Sequence, residues 1–469
     1  MKSSVKSIYQ VLSANILITI IGMAQTFILP LILAPSEFGF WSYYLLYVSY
    51  AGFLIFGFCD GFYLKYGGEK YDSLDKNLFS SFHLILVFYL TIVLIGWIAF
   101  INIFLSFDKK SIVLLLIGIG SVFTCLKSYY VLLNQATARF SIYAKGSIIE
   151  KIVLVMVSLF CVLLPTVNSY YIILASIVGK LITIFYFMYF SKDVILSKPT
   201  FNKEMWRDAI SNVKVGFTLT LSGVGTMLIT GYGRFVVEKK LGIIELGYYS
   251  FMFSITILFT QLIFAISTVL FPFLRRIKED IAKKVLKDLD MILINFSGII
   301  LLIYFPSRYI LETIFPQYQP SMELMLYLFP IIIAQNRMML VYNTLYKVLR
   351  YEKQMLMNVL IALTFSVIIT FLLFWMSESK ESIALATYIG FLFWNLLSIN
   401  VYKKKEKVKI SLISTDLITS VIFIVINQVI GFSLISFLAT LIPILVTTMY
   451  KFKETMKNIK SIRELTKVS

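Results

Sequence analysis

Apolar runs long enough to cross about 30 Å of hydrocarbon recur from one end of the chain to the other, and no other feature limits the fold as much. Fourteen fall at approximately 8–33, 40–62, 78–105, 111–133, 148–164, 170–190, 213–231, 248–272, 291–315, 323–343, 355–376, 382–402, 412–429 and 431–450. Lipid offers no water to an exposed peptide group, so each run must satisfy its backbone internally as a helix. The sequence therefore predicts an all-α polytopic membrane protein of about 14 spans, or 12–13 if the short run 148–164 or the tight C-terminal pair does not cross. Composition agrees: 59% of the 469 residues are hydrophobic and 14% charged, where soluble domains carry about 25% charged residues. The first run is too long for a removable signal peptide and lacks a small-residue cleavage site, so it reads as a retained helix. Cys59, Cys125 and Cys161 fall inside predicted spans without metal-ligand spacing, as buried apolar thiols do.

The net charge of +18 raises the question of nucleic acid, and its distribution answers it. With the N-terminus placed inside, 32 of the 43 Lys and Arg fall in cytoplasmic loops and tails. Seven fall outside, and four (Lys127, Lys151, Lys180 and Arg337) lie within spans. This is the positive-inside bias of a membrane protein with both termini in the cytoplasm. Basic stretches such as "YKKKEKVK" then face solvent or lipid headgroups, and no nucleic-acid partner is expected.

An internal echo divides the chain. Residues 37–43 read "EFGFWSY" and residues 245–251 read "ELGYYSF", with Glu, Gly and Ser identical at an offset of 208. Both copies precede the second helix of a half. The division expected is a six-helix lobe at 1–190, a cytoplasmic linker at 191–212, a second six-helix lobe at 213–402, and a basic loop with two helices and a tail at 403–469. Six spans per half gives both halves one orientation, hence a pseudo-two-fold axis along the membrane normal. The first helix of each half carries a weakly polar stripe, Asn15, Thr19, Gly22 and Thr26, then Thr218, Ser222, Gly225 and Thr226. Such stripes either pack helices closely or line a cavity.

No loop exceeds about two dozen residues, which leaves no room for a soluble catalytic domain, and no phosphate-cradling loop or metal motif occurs. The lone histidine, His83, reads as structural. Transport, not catalysis, is the expected class. Charges inside spans are expensive and by default functional. Lys151 follows Glu150 and can snorkel. Lys127 can snorkel or serve a site; Lys180 sits mid-span with Ser176 and Thr183 on its face. Arg337, in "IIIAQNRMMLVYN" after Pro330, is either a cavity cation suited to bidentate phosphate binding or half of a structural pair with a carboxylate. The acids noted near spans are Asp60 and Glu150, so a positive interior and an anionic cargo are expected.

Four stretches, "LAPSEFGFWSYY", "GFCDGFYLKYGGEKYDSLDK", "LNQATARFSIYAKGSIIEK" and "YGRFVVEKKLGIIELGYYSF", resemble the bacterial polysaccharide transporter, or O-antigen flippase, branch of the multidrug/oligosaccharidyl-lipid/polysaccharide exporter superfamily. The resemblance spans essentially the whole chain. It implies a flippase in the bacterial inner membrane that moves an undecaprenyl-diphosphate-linked oligosaccharide outward for O-antigen (lipopolysaccharide), capsule or another surface polysaccharide. It further implies two lobes rocking about a central cationic cavity, coupling to H+ or Na+ with no other cofactor, and a C-terminal helix pair (412–450) forming a lipid-tail groove. Membrane lipid, a polysaccharide polymerase and glycosyltransferases are the implied partners. The first helix lacks the acid that multidrug relatives use for ion coupling. Arg337, Lys180 and Lys127 are the expected headgroup site, with Arg139, Arg234, Asp60, Asn15 and Gln25 as secondary candidates. Arg139 serves the site or anchors its loop; Arg234 serves the site or pairs with Glu238. The alternatives are a MATE-like antiporter for organic cations, which requires an intramembrane carboxylate, and a lipid II flippase.

Overall fold

A computed structural model describes residues 19–274, 277–406 and 415–468, and every regular element among them is helical. The first stretch holds α1 (Thr19–Ile32), α2 (Pro35–Ser49), α3 (Phe58–Tyr66), α4 (Lys76–Phe104), α5 (Lys109–Ala136), α6 (Phe140–Cys161), α7 (Ser169–Phe190), the short α8 (Lys192–Ile195) and α9 (Lys203–Lys240). Then follow α10 (Ile243–Leu274), α11 (Glu279–Leu302), α12 (Tyr304–Ile314), α13 (Met322–Leu328), α14 (Ile331–Arg337) and α15 (Asn343–Val348). The last four are α16 (Glu352–Ser377), α17 (Lys380–Glu406), α18 (Thr415–Ile430) and α19 (Leu434–Val468).

Over its described residues, each of the fourteen predicted runs coincides mainly with helix. Among the described residues ten helices are long and apolar enough to cross a membrane, a bent pair makes eleven, and α1 and α18 are shorter apolar helices. The chain is an all-α polytopic membrane protein. Its starts are chemically marked: Asp75, Asp108 and Asn168 cap α4, α5 and α7 by accepting from the first free amides.

The chain divides into two compact units, Met1–Met227 and Leu228–Ser469. That division falls inside α9, whereas the sequence placed a linker at 191–212. Two local facts account for the difference. Residues 203–212 continue the helix of the seventh span. The loop before them is tied down on α4: Ser80 donates to Ser197 O at 3.0 Å and Ser81 to Thr200 O at 2.9 Å.

The echo also has a physical cause. Glu37 begins α2, pairs with Lys109 and accepts from Ser169 N, at the start of α7, at 2.8 Å. Glu245 begins α10 and pairs with Lys380, at the start of α17, at 2.8 Å. In each unit the aromatic three residues after the glutamate lies under the lysine: Phe40 at 4.7 Å and Tyr248 at 5.0 Å. A carboxylate in the first turn also suits the helix dipole. Glutamate plus aromatic is thus a clasp used once per unit, which explains why those positions match where apolar bias cannot act.

Pro330 marks a real break. The segments Pro316–Leu328 and Ile331–Val348 meet at 49°, and Met338–Tyr342 forms a π turn directly after Arg337. Within the first unit, α3 and α9 cross at backbone contact. A Cβ on Gly61 would lie 1.8 Å from Asn212 O, and one on Gly216 would lie 1.9 Å from Gly57 O. Gly57 itself has φ +79°, a conformation side chains rarely adopt. Overpacking such a contact costs on the order of 1–3 kcal/mol or more. Gly216→Val is therefore expected to lower the thermal midpoint of the detergent-solubilised protein by several degrees. Gly96→Ala, on α4 with open space around it, should leave that midpoint unchanged.

Candidate functional site

Two groups of buried charge stand out, one in each unit. In the first, α5, α6 and α7 bring Lys127, Glu150 and Lys180 together. Lys127 Nζ lies 2.5 Å from Glu150 Oε2, and Lys180 Nζ lies 3.6 Å from Glu150 Oε1. Lys180 also donates to Ser176 Oγ at 2.7 Å and Tyr44 Oη at 3.4 Å, which brings in α2. Glycines make this convergence possible: a Cβ on Gly120 would strike the Tyr44 ring, and one on Gly179 would press on the Glu150 backbone at 3.1 Å. One carboxylate thus serves two ammonium groups, with Lys151 adjacent in sequence. The cluster retains positive charge, and its side chains run from 7% exposed at Lys180 to 22% at Lys127. Lys127 is the most exposed of the three.

The second group is different in sign. Arg337 Nε and Nη2 grip both oxygens of Asp290 at 2.9 and 3.0 Å, and Nη1 meets Asp416 Oδ2 at 2.7 Å. Tyr342 Oη closes the set, 3.2 Å from Arg337 Nη2 and donating to Asp290 Oδ2 at 2.9 Å. The π turn after Arg337 carries Tyr342 into this position. Arg337 is 3% exposed. Two carboxylates face one guanidinium, so the group is net negative.

This corrects the expected positive interior. Asp290 and Asp416 are interior acids that the sequence reading passed over, because acids near the end of an apolar run ordinarily sit at the interface. The structure brings Lys127 and Lys180 together but places Arg337 in the other unit, held by its own carboxylates. Of the secondary candidates, Asp60 accepts from Thr220 Oγ1 at 2.8 Å and fastens the α3–α9 crossing. Arg139 donates to the Phe190 carbonyl at the end of α7 at 2.5 Å and lies 3.8 Å over the Tyr71 ring. Tyr71 in turn donates to Asp193, which pairs with Lys76 at 3.2 Å. Burial pushes the Tyr71 hydroxyl up to about 12; burial also raises the Asp193 carboxyl, but Tyr71 and Lys76 outweigh it and hold it below the usual range. Arg234 lies 4.8 Å over the Phe253 ring. Gln25 is buried in α1, and Asn15 lies outside the described residues. The stripe hydroxyls of Thr26, Ser222 and Thr226 bond carbonyls of their own helices. His83 is buried against Tyr130, 3.4 Å from its hydroxyl.

Glu150, Tyr44, Asp290, Asp416 and Tyr342 were not singled out as site residues. A depth argument finds the first: Lys127 lies nine residues before the end of α5 and Glu150 ten after the start of α6, so the hairpin sets them level.

Removing Arg337 strands two buried carboxylates, a change worth about 3–5 kcal/mol in comparable pairs. Arg337→Ala is expected to lower both yield and thermal midpoint sharply. Arg337→Met combined with Asp290→Asn and Asp416→Asn should recover much of the loss, which a thermal scan of purified protein would record.

No curated protein matches the chain by sequence. Residues 28–323 match the family model described as polysaccharide biosynthesis protein. Among solved structures, the chain is similar to the lipid II flippase MurJ in an inward closed conformation, with TM-score 0.63 and 14% identity over 95% of this chain and 98% of that one. An inward-facing multidrug resistance MATE family transporter of the MOP superfamily gives TM-score 0.61 and 10% identity over 86% and 99%. A Vibrio cholerae MATE transporter gives 0.56 and 11% over 87% and 97%. Identities this low speak to fold alone, while the family model covers well over half of the chain. The chain belongs to the polysaccharide biosynthesis protein family and is a multi-pass membrane protein with the MurJ- and MATE-like transporter fold.

Proposed function

We propose that this protein is a flippase that moves an undecaprenyl-diphosphate-linked oligosaccharide from the cytoplasmic to the outer leaflet of the bacterial inner membrane, by alternating access and with both termini cytoplasmic. The observation that carries the reading is the cluster in which Glu150 alone serves Lys127 and Lys180, in a chain of the polysaccharide biosynthesis family. A diphosphate cannot enter hydrocarbon unaided, and a partly dry pair of ammonium groups offers it charge-assisted hydrogen bonds. Glu150 keeps that attraction moderate, since an anion held too tightly would not leave. The polyprenyl tail stays in lipid. Lys180 and Lys127 are the headgroup residues of this reading, and Arg337 holds α11, α14 and α18 together. A polymerase and glycosyltransferases of surface polysaccharide synthesis are the partners it requires.

One observation favours a second reading. The acid surplus at Asp290 and Asp416 is what a cation-coupled antiporter for organic cations needs, and equally what an H+ or Na+ driving a flippase would use. The two readings part on phenotype: the antiporter gives drug resistance on expression, and the flippase gives surface polysaccharide.

A lost charge-assisted hydrogen bond is worth about 1.5–3 kcal/mol, or roughly tenfold and upward in binding. Lys180→Met and Lys127→Met should each cut surface polysaccharide about tenfold at matched protein levels in a strain lacking its own copy. Lys127→Arg should retain most of it. Full activity in both methionine variants would remove the cluster from the mechanism.

A further inference from the structure

The unit Leu228–Ser469 also holds a cleft of about 800 Å³ that the headgroup cluster does not use. It lies where α12 is followed by α13, where α16 turns into α17, and where α18 ends. The basic run Lys403–Lys405 sits at the other end of α17, about 35 Å away at helical rise. With that run at the cytoplasmic face, the cleft belongs to the outer face. Most of it lies beyond residue 323, where the family match ends.

The lining is that of a site for a hydroxyl-rich ligand. Glu323 and Glu381 supply carboxylates, Asn427 and Gln428 amides, and Tyr327 and Phe432 rings. Asn427 is 5% exposed; its amide nitrogen donates to Phe423 O at 2.9 Å, while its Oδ1 is buried with no partner. An unpaired buried acceptor carries a desolvation cost, which a ligand donor would offset. The platform beside it is fixed. Tyr327 donates to Gln428 Oε1. Phe432 stacks on Phe305 at 6.1 Å and 18°, and lies 4.6 Å under the Arg308 guanidinium.

Charge selects the ligand class. Arg308 is already paired with Glu312 at 2.8 Å, so Glu323 and Glu381 leave the lining net negative. Phosphate headgroups are repelled. Planar amides and carboxylates match the paired donors and acceptors of vicinal hydroxyls, an aromatic face suits the C–H face of a pyranose, and the volume is that of a small-ligand site. We infer that this cleft is a saccharide subsite for neutral or amino-substituted sugar residues. It rests on the flippase reading in one respect, that the sugars arriving here are those of the lipid-linked cargo.

The test uses full-length protein in nanodiscs. The probe is the oligosaccharide freed by mild acid from the source strain's surface polysaccharide, followed by saturation-transfer NMR, with glycerol phosphate as the anionic comparator. The expected result is saturable saccharide binding that Gln428→Ala and Glu381→Gln each weaken at least fivefold, with unchanged thermal midpoints and no glycerol phosphate binding that these variants alter. Absence of saturable binding, or variants that bind like the parent protein, would overturn the subsite. The two readings fail separately. Saccharide binding by protein that does not translocate lipid-linked oligosaccharide removes the flippase and keeps the subsite; translocation with unaffected variants removes the subsite alone.

Discussion

A charge taken out of water must find its partner inside the protein, and in lipid no alternative exists. The structure follows from how this chain meets that requirement. Its backbone closes into helices, and its helix starts are fastened by carboxylates such as Glu37 and Glu245 gripping lysines. Several of its deepest charges gather into two groups. Each of these fixes several helices at once, so helix order, glycine placement and the π turn are all read through them.

The two groups answer the requirement unequally. Arg337 is saturated: two carboxylates and Tyr342 occupy its guanidinium. Such a group holds α11, α14 and α18 in register and carries an anionic excess. Lys127 and Lys180 share one carboxylate, and their excess is cationic. An ammonium with half a partner, less buried than its neighbour, is where a visiting anion gains most. In the proposed role, chemistry of this kind would hold a diphosphate without trapping it, which is what transport requires.

Much of the fold was legible because lipid imposes one length and one polarity on every span. Over their described residues the fourteen runs met helices, Pro330 met a bend, and the glutamate and aromatic of the echo met a repeated clasp. Where the sequence fell short, the cause was long-range pairing. Lys127 and Glu150 are separated by one hairpin, and depth matching recovers them. Arg337 finds Asp290 and Asp416 across 47 and 79 residues, and no local pattern encodes that meeting. Asp290 stands just outside the run 291–315 and was not among the acids noted. Residues 203–212, polar and assigned to the linker, extend α9 along α3, where Tyr66 and Lys65 hold Asp208.

The most direct test of the account is translocation by purified protein in proteoliposomes loaded with the source strain's undecaprenyl-diphosphate-linked oligosaccharide. A membrane-impermeant lectin or glycosidase would report the sugars that reach the far leaflet. The account predicts transfer by the parent protein well above protein-free vesicles, and near-background transfer when Lys127 and Lys180 are both replaced by methionine together with Glu150→Gln, which leaves no unpaired carboxylate in the cluster, in protein of unchanged thermal midpoint. Transfer that is equal with and without those two lysines would contradict it.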